Sequence, residues 1–196
     1  MYATGRKAQL SAQTRQALEK VARELFESRG FAAVSAEEIV AAAGVTRGAL
    51  YHHYDGKEGL FEAVAQAAMA RLKENIRAAA DGAPDPVVGL KRGVHRFLEL
   101  ATAPRLQRVL FLDAPTVMGW HRWRAMDERF GFGLLKQALE LAMRSGQLRR
   151  QSVDLVAHIL LSALIEAAMV IASSKEKSDT RAQAQRVLER LIDSFA

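Results

Sequence analysis

Tyr51, His52, His53 and Tyr54 follow one another in the run "GVTRGALYHHYDGKEGL" (44–60). Two adjacent histidines beside two phenols and a lysine admit two chemistries: metal ligation by imidazole, or contact with something anionic. A helix turns about 100° per residue, so neighbours cannot share a face, and two helical histidines share one metal best at i, i+4. His52 and His53 therefore diverge, the metal reading fails on spacing, and neither a metal nor a cofactor is expected. The i, i+4 spacing instead aligns Arg47 with Tyr51, Ala49 with His53, and Leu50 with Tyr54. Leu50 is expected to anchor this helix on the first one alongside Ile39 and Val45, with Tyr54 extending the contact. Arg47, Tyr51 and His53 are then left for the outer surface. Gly48 costs about 1 kcal/mol against Ala inside a helix, and suits close approach by another backbone. Lys57 opens a helix, where a cation opposes the helix dipole; a phosphate contact would explain that placement.

Other chemistries are poorly supplied. The chain contains no cysteine, which excludes disulfides, Cys-ligated zinc and thiol catalysis. No Gly-x-Ser-x-Gly, Gly-rich phosphate loop or His-Glu-x-x-His is present, and nothing in the spacing of His95, Asp113 and His121 makes them converge. An enzyme is not expected. The most apolar run, "LVAHILLSALIEAAMVIA" (155–172), carries His158 and Glu166, and its flanks lack interfacial aromatics. A charge inside a spanning helix is expensive, so a buried helix at an oligomer interface is the better reading and no membrane partner is expected. The start, "MYATGRKAQLSAQTRQ", lacks the apolar core of a secretory signal, and a cytoplasmic protein is expected.

These side chains must be held by helices. Hydrophobic residues make up 49% of the 196 positions and charged residues 26%, with only four prolines; Ala, Leu, Glu, Arg and Gln abound and no long period-two alternation occurs. All-α is the expected class. Within 14–29, Ala17, Val21 and Leu25 form one i, i+4 row and Leu18, Ala22 and Phe26 the next, a broad apolar face stopped by Gly30. Ser35 and Glu38 read as a capping box before "IVAAA", Gly44 as the following stop, Thr46 as the cap of a third helix, and Asp55 with Glu58 as a second capping box. Helix, Gly-containing turn, helix is the helix-turn-helix pattern. A fourth helix is predicted over 57–80, broken by "DGAPDP" (81–86), and five more over 86–102, 105–112, 116–145, 152–173 and 179–195. Net charge is +6, yet residues 1–60 hold eight Lys or Arg against seven Asp or Glu. A nucleic-acid contact there would depend on placing a few cations, not on bulk charge.

The run "TRQALEKVARELFESRGFAAVSAEEIVAAAGVTRGALYHHYDGKEGLFEAV" (14–64) closely resembles the DNA-binding domain of the TetR family of bacterial transcriptional regulators. The resemblance rests on the "LF…GF" end of helix 1, the "AGVTRGALYHHY" turn and third helix, and the "GKEGL" opening of helix 4. It implies a helix-turn-helix domain over 1–56 and a helical ligand-binding and dimerisation domain over 57–196. By position it places Thr46, Arg47, Gly48 and Ala49 at the base- and backbone-reading end of helix 3, and Tyr51, His53 and Lys57 at phosphates. Arg47 alone among these has the fork to read a guanine at O6 and N7. Arg6, Lys7 and Arg15 are further candidate contacts. Ala36 and Glu37 stand where family members often carry a small polar or basic residue. Glu37 would repel a phosphate, leaving helix 2 its N-terminal amides and Ser35.

A reader this small needs a dimer on a palindromic operator of double-stranded DNA. The expected homodimer interface is a four-helix bundle of the last two helices with their mates, through Leu160, Leu164, Ala168, Val187, Leu188, Leu191, Ile192 and Phe195. The segment "LFLDAPTVMGWHRWRAMDERFGFGLL" (110–135) gathers aromatic and methionine side chains, and by resemblance surrounds an effector pocket; the alternative is a packed aromatic core with no ligand. The residues singled out for it are His95, Phe111, Asp113, Met118, Trp120, His121, Trp123, Met126 and His158, a lining suited to an apolar or aromatic effector. The expected function is a repressor released from DNA by that effector, with helix 4 as the only lever between the two parts. The alternative is a helical enzyme or protein-binding module with a disused helix-turn-helix.

Overall fold

The computed structural model describes residues 2–196, with side chains from Ala8 onward, so Arg6 and Lys7 lie outside the described side chains. It is all-helical. Nine helices can be counted among the described residues: α1 (Tyr2–Arg29), α2 (Ala36–Ala43), α3 (Arg47–Tyr54), α4 (Lys57–Ala80), α5 (Pro86–Ala101), α6 (104–118), α7 (120–144), α8 (Val153–Ser173) and α9 (Lys177–Asp193).

Leu18, Ala22 and Phe26 on α1 are buried, and Val21 and Leu25 pack partly buried beside them. The Phe26, Phe31 and Phe61 rings meet with centroids 5.2–5.8 Å apart, two of the three pairs edge-on, so the core of the first three helices is closed by the start of α4. The division expected at 56/57 therefore runs through continuous packing. Ser35 caps α2 by accepting from the Glu38 amide at 3.0 Å, and Thr46 caps α3 by accepting from Ala49 at 3.2 Å. Glu38 does not complete the capping box; its carboxylate pairs with Arg29. The second expected box is absent. Asp55 is the left-handed C-cap of α3 (φ 57°) and Gly56 takes φ 101°, so the turn into α4 has two residues and no room for an N-capping side chain.

That tight turn brings the end of α3 onto the first turn of α4. A Cβ at Gly59 would stand 1.6 Å from the Tyr54 carbonyl oxygen, so only glycine fits. Asp85 caps α5 through the Val88 amide at 2.9 Å, with Pro86 at the first helical position. The helix expected over 116–145 divides at Gly119, whose φ of 81° ends α6 and restarts the chain as α7. Inside α6, Arg108–Asp113 is wound with π-helical, i→i+5 geometry just ahead of Pro115. Proline has no N–H, and the Leu110 carbonyl five residues before it accepts the Trp123 indole N–H at 2.7 Å instead. A second π-wound stretch, Glu128–Phe132, lies within α7. In the C-terminal part α5 packs against α4, α7, α8 and α9.

Candidate nucleic-acid interface and the cavity behind it

Leu50 is fully buried and fixes which face α3 turns outward. Tyr54 does extend the contact to α1, donating its hydroxyl to Glu19 Oε1 at 2.6 Å; burial and then Glu19 push that phenol well above its ordinary value. Thr46, Arg47, Gly48 and Tyr51 are exposed on the opposite side, with Ala49 and His53 partly buried beside them. A Cβ at Gly48 would meet only Thr46 Oγ1 at 3.8 Å, so nothing in the subunit itself demands glycine there. The His52 and His53 rings lie 5.1 Å apart edge to face, and no cluster of three metal-ligating side chains exists among the described residues.

Two charges in this surface are placed differently from the sequence-based expectation. Arg47 lies 3.0 Å from Glu37 on α2 and 3.4 Å from the Tyr51 hydroxyl. Glu37, expected only to repel phosphate, thus holds the guanidinium across the outer face. Lys57 donates to the carbonyls of Phe31 at 3.1 Å and Val34 at 2.9 Å, with its ammonium 3.8 Å from the centroid of the Phe31 ring. It ties the α1–α2 loop to the start of α4 and keeps one N–H of three for an outside partner. Ser35 is exposed at the N-terminus of α2.

The expectation that α4 alone links the two parts is corrected. Asp113 Oδ2 accepts from the Phe31 amide at 2.8 Å, and Arg108 Nη1 donates to the Ser28 carbonyl at 2.5 Å. Both come from the π-wound part of α6; Arg108 grips the C-terminal end of α1 and Asp113 the loop that follows it. Asp113, read from sequence as a pocket residue, is therefore a joint between the two parts. The π winding bears on this: each hydrogen bond spans one residue more than in an α-helix, which changes the phase of the side chains along the stretch.

The cavity lies elsewhere. A space of about 550 Å³ opens between α4, α5, α7 and α8, lined by Leu72, Ile76, Leu90, Val94, Phe97, Phe130 and others. None of the nine residues chosen from sequence lines it. Phe111, Met118, Trp123 and Met126 are buried in the packed core instead. Trp120 and His121 are exposed. His158 is exposed and stacked on Phe132, ring centroids 4.4 Å apart. His95 Nε2 lies 2.6 Å from Glu189 on α9, outside the cavity. The sequence reading missed Asp127, which is buried in the cavity wall. Gly89 and Gly93, at i, i+4 on α5, were the available signal: a Cβ at Gly93 would stand 3.3 Å from Ile76 on α4.

The expected dimer residues also divide. Leu160, Leu164, Ala168, Leu188 and Ile192 are 0–6% exposed within one subunit, and Leu191 and Phe195 are partly buried. They form the inward side of α8 and α9, because a helix that looks apolar all round still turns its best-packed stripe to its own core. The outward apolar side chains are Leu155, Ile159, Met169 and Val170 on α8 and Val187 on α9. The α8 helix is long and apolar enough to cross a membrane by length and composition, yet eight of its residues are buried in the subunit core.

A capped helix-turn-helix with a polar outer face, carried on a helical body with a cavity between its helices, defines a DNA-binding regulator of transcription. The comparisons agree. Residues 19–64 match the family model described as bacterial regulatory proteins, tetR family, and residues 87–195 match the tetracyclin repressor-like C-terminal domain. The chain belongs to the TetR family. It is 30% identical over 165 residues to the HTH-type transcriptional repressor BepR of Brucella suis, covering 78% of this chain and 77% of that one. It is 26% identical over 183 residues to the HTH-type transcriptional repressor AcnR of Corynebacterium diphtheriae, covering 91% and 87%. A TetR-family transcriptional regulator of Pectobacterium atrosepticum is similar in structure, with a TM-score of 0.84 and 30% identity over 94% of this chain and 95% of that one.

Proposed function

We propose that the protein is a homodimeric repressor, released from a palindromic operator by a small hydrophobic effector bound in the α4–α5–α7–α8 cavity. The observation that carries the reading is the position of that cavity along α4, whose first turn also closes the core of the DNA-reading head. An effector that spreads or straightens α4 moves α3 with it, through the contact at Gly59 that leaves no slack. The joint at Asp113 and Arg108 gives a second path, through α6. The effector must bind one head spacing better than the other, and coupling of this kind amounts to about 1–3 kcal/mol, or five- to 150-fold in operator affinity.

Base reading would fall to Thr46, Arg47, Gly48 and Ala49, and backbone contacts to Ser35, Tyr51, His53 and the remaining N–H of Lys57. Arg47 would exchange Glu37 for a base edge or a phosphate, so Glu37 keeps it oriented in the free protein. The dimer would pair the outward stripe of α8 and Val187 of α9 with their symmetry mates, Leu155, Ile159, Met169 and Val170 supplying the apolar contact. Pairing Ile159→Glu with Met169→Glu tests this arrangement by sedimentation equilibrium and operator binding. The expected result is a folded monomer that no longer protects both half-sites; a dimer of unaltered strength would put the interface elsewhere.

A further inference from the structure

The cavity is apolar except for two kinds of polar group. Its lining includes Lys73, Arg77, Asp81, Asp85 and Gln137, so charges of both signs occur together there. Asp85 is engaged as the cap of α5, and Arg77 pairs with Glu74. Also in the wall is Asp127, 3% exposed, whose Oδ2 has no hydrogen-bond partner among the described residues. It ends the first stretch of α7, directly before the π-wound turn Glu128–Phe132. Arg124 on its own helix offsets the burial of this carboxyl only in part, and makes no hydrogen bond to it. Arg124 is turned toward Glu128 at 3.4 Å and Ser162 at 3.3 Å on the outer side, and Glu128 has the same sign as Asp127. Burial pushes the Asp127 carboxyl up to about 6, so carboxylate remains its main form near neutral pH.

A buried carboxylate with a free oxygen is a costly thing to keep in an apolar wall. Leucine or asparagine would fill the same space without the charge. We propose that Asp127 anchors a protonated amine carried by a hydrophobic effector, so that the cavity selects lipophilic cations over neutral or anionic molecules of the same shape. The proposal rests on the reading of this cavity as the effector site. The walls provide affinity for the apolar body, and Asp127 provides the sign. A hydroxyl could satisfy Oδ2 but would leave the charge unmatched. An organic anion would add a second negative charge in a medium where charges are weakly screened. Asp127 thereby sets which class of molecule the regulator answers to.

The test uses two probes that share one apolar body, 1-pyrenemethylamine and 1-pyrenemethanol. Their binding to the full chain and to Asp127→Asn is followed near neutral pH by the anisotropy of the pyrene emission. The wild type should bind the amine about tenfold or more tighter than the alcohol, as a charge-assisted hydrogen bond in a dry site requires. In Asp127→Asn that preference should vanish while the alcohol affinity stays within about threefold of wild type, since only the charge has changed. Asp127→Leu serves the same comparison if the asparagine variant fails to fold. Equal affinities of the two probes for the wild type, or an amine preference that survives in the variant, would overturn the proposal while leaving the effector cavity standing. Binding of neither probe to the wild type would overturn the cavity reading, and the anchor with it.

Discussion

Replacing Asp127 with asparagine tests whether the buried carboxyl stands as exposed to strain as its surroundings imply. A free aspartate titrates near 3.8, and burial raises this one to about 6. Because the folded-state value lies above the unfolded one, the carboxyl's contribution to stability is complete below the unfolded value. It is lost as pH rises through about 6. Each pH unit between the two values is worth about 1.4 kcal/mol, so the empty wild-type protein should lose on the order of 3 kcal/mol relative to Asp127→Asn between acid and neutral pH. For a chain of this size 1 kcal/mol moves the melting midpoint by about 2–4 °C, which makes the expected change about 6–12 °C. The assay is thermal unfolding of both proteins across pH 4–8 at one protein concentration, with the difference in midpoint plotted against pH. Arg124, Glu128 and every other titrating group are common to both proteins and cancel to first order in that difference. The variant's relative stability should climb with pH between about 4 and 6, most steeply midway between the two values, and level off above 6. A flat difference would mean that Asp127 is solvated or paired, and would refute the reasoning from burial.

Gly59→Ala forces the Tyr54 carbonyl away from α4, and overpacking of this kind costs about 1–3 kcal/mol or more; the head should loosen, measured as a lower melting midpoint together with weaker operator binding. Asp113→Ala removes the acceptor of the Phe31 amide, so hydrogen exchange at Phe31 should quicken and the ratio of operator affinities with and without effector should fall; unaltered coupling would mean that the Asp113 contact carries none of it. Lys57→Ala should lower stability by about 1 kcal/mol through two freed carbonyls and reduce the salt slope of DNA binding by about one. A stability loss with an unaltered slope would confine Lys57 to the α1–α2 loop.

The head was legible in the sequence because its signals are local. Ser35 and Thr46 mark helix starts, Gly44 marks a stop, and Leu18, Ala22 and Phe26 repeat at i, i+4, so each boundary from 36 to 80 could be read within a few residues. Asp55 was misread and the carbonyl partners of Lys57 were missed, because those contacts lie across a turn or in another segment. Spacing in the chain says nothing of a lysine reaching the carbonyls of Phe31 and Val34. The cavity was misplaced for a related reason. Aromatic and methionine side chains mark bulk, and bulk fills space: Trp123, Phe111 and Met118 became core. The open volume instead lies between α4, α5, α7 and α8, with Gly89 and Gly93 of α5 in its lining. In α8 the inward and outward stripes are both apolar, so Leu160 and Ile159 could not be told apart until the fold assigned the faces.

The central claim is that α3, held on Leu50 with Arg47 and Tyr51 outward, reads DNA as one half of a symmetric pair. The most direct test is selection of bound fragments from the source genome by the purified protein, followed by footprinting of the best fragment. The account predicts a protected palindrome whose half-sites are separated by one or more helical turns, with the protection weakened when the cavity is filled. A folded protein free of carried-over ligand that enriches no site, or protects a single unrepeated half-site, would contradict it.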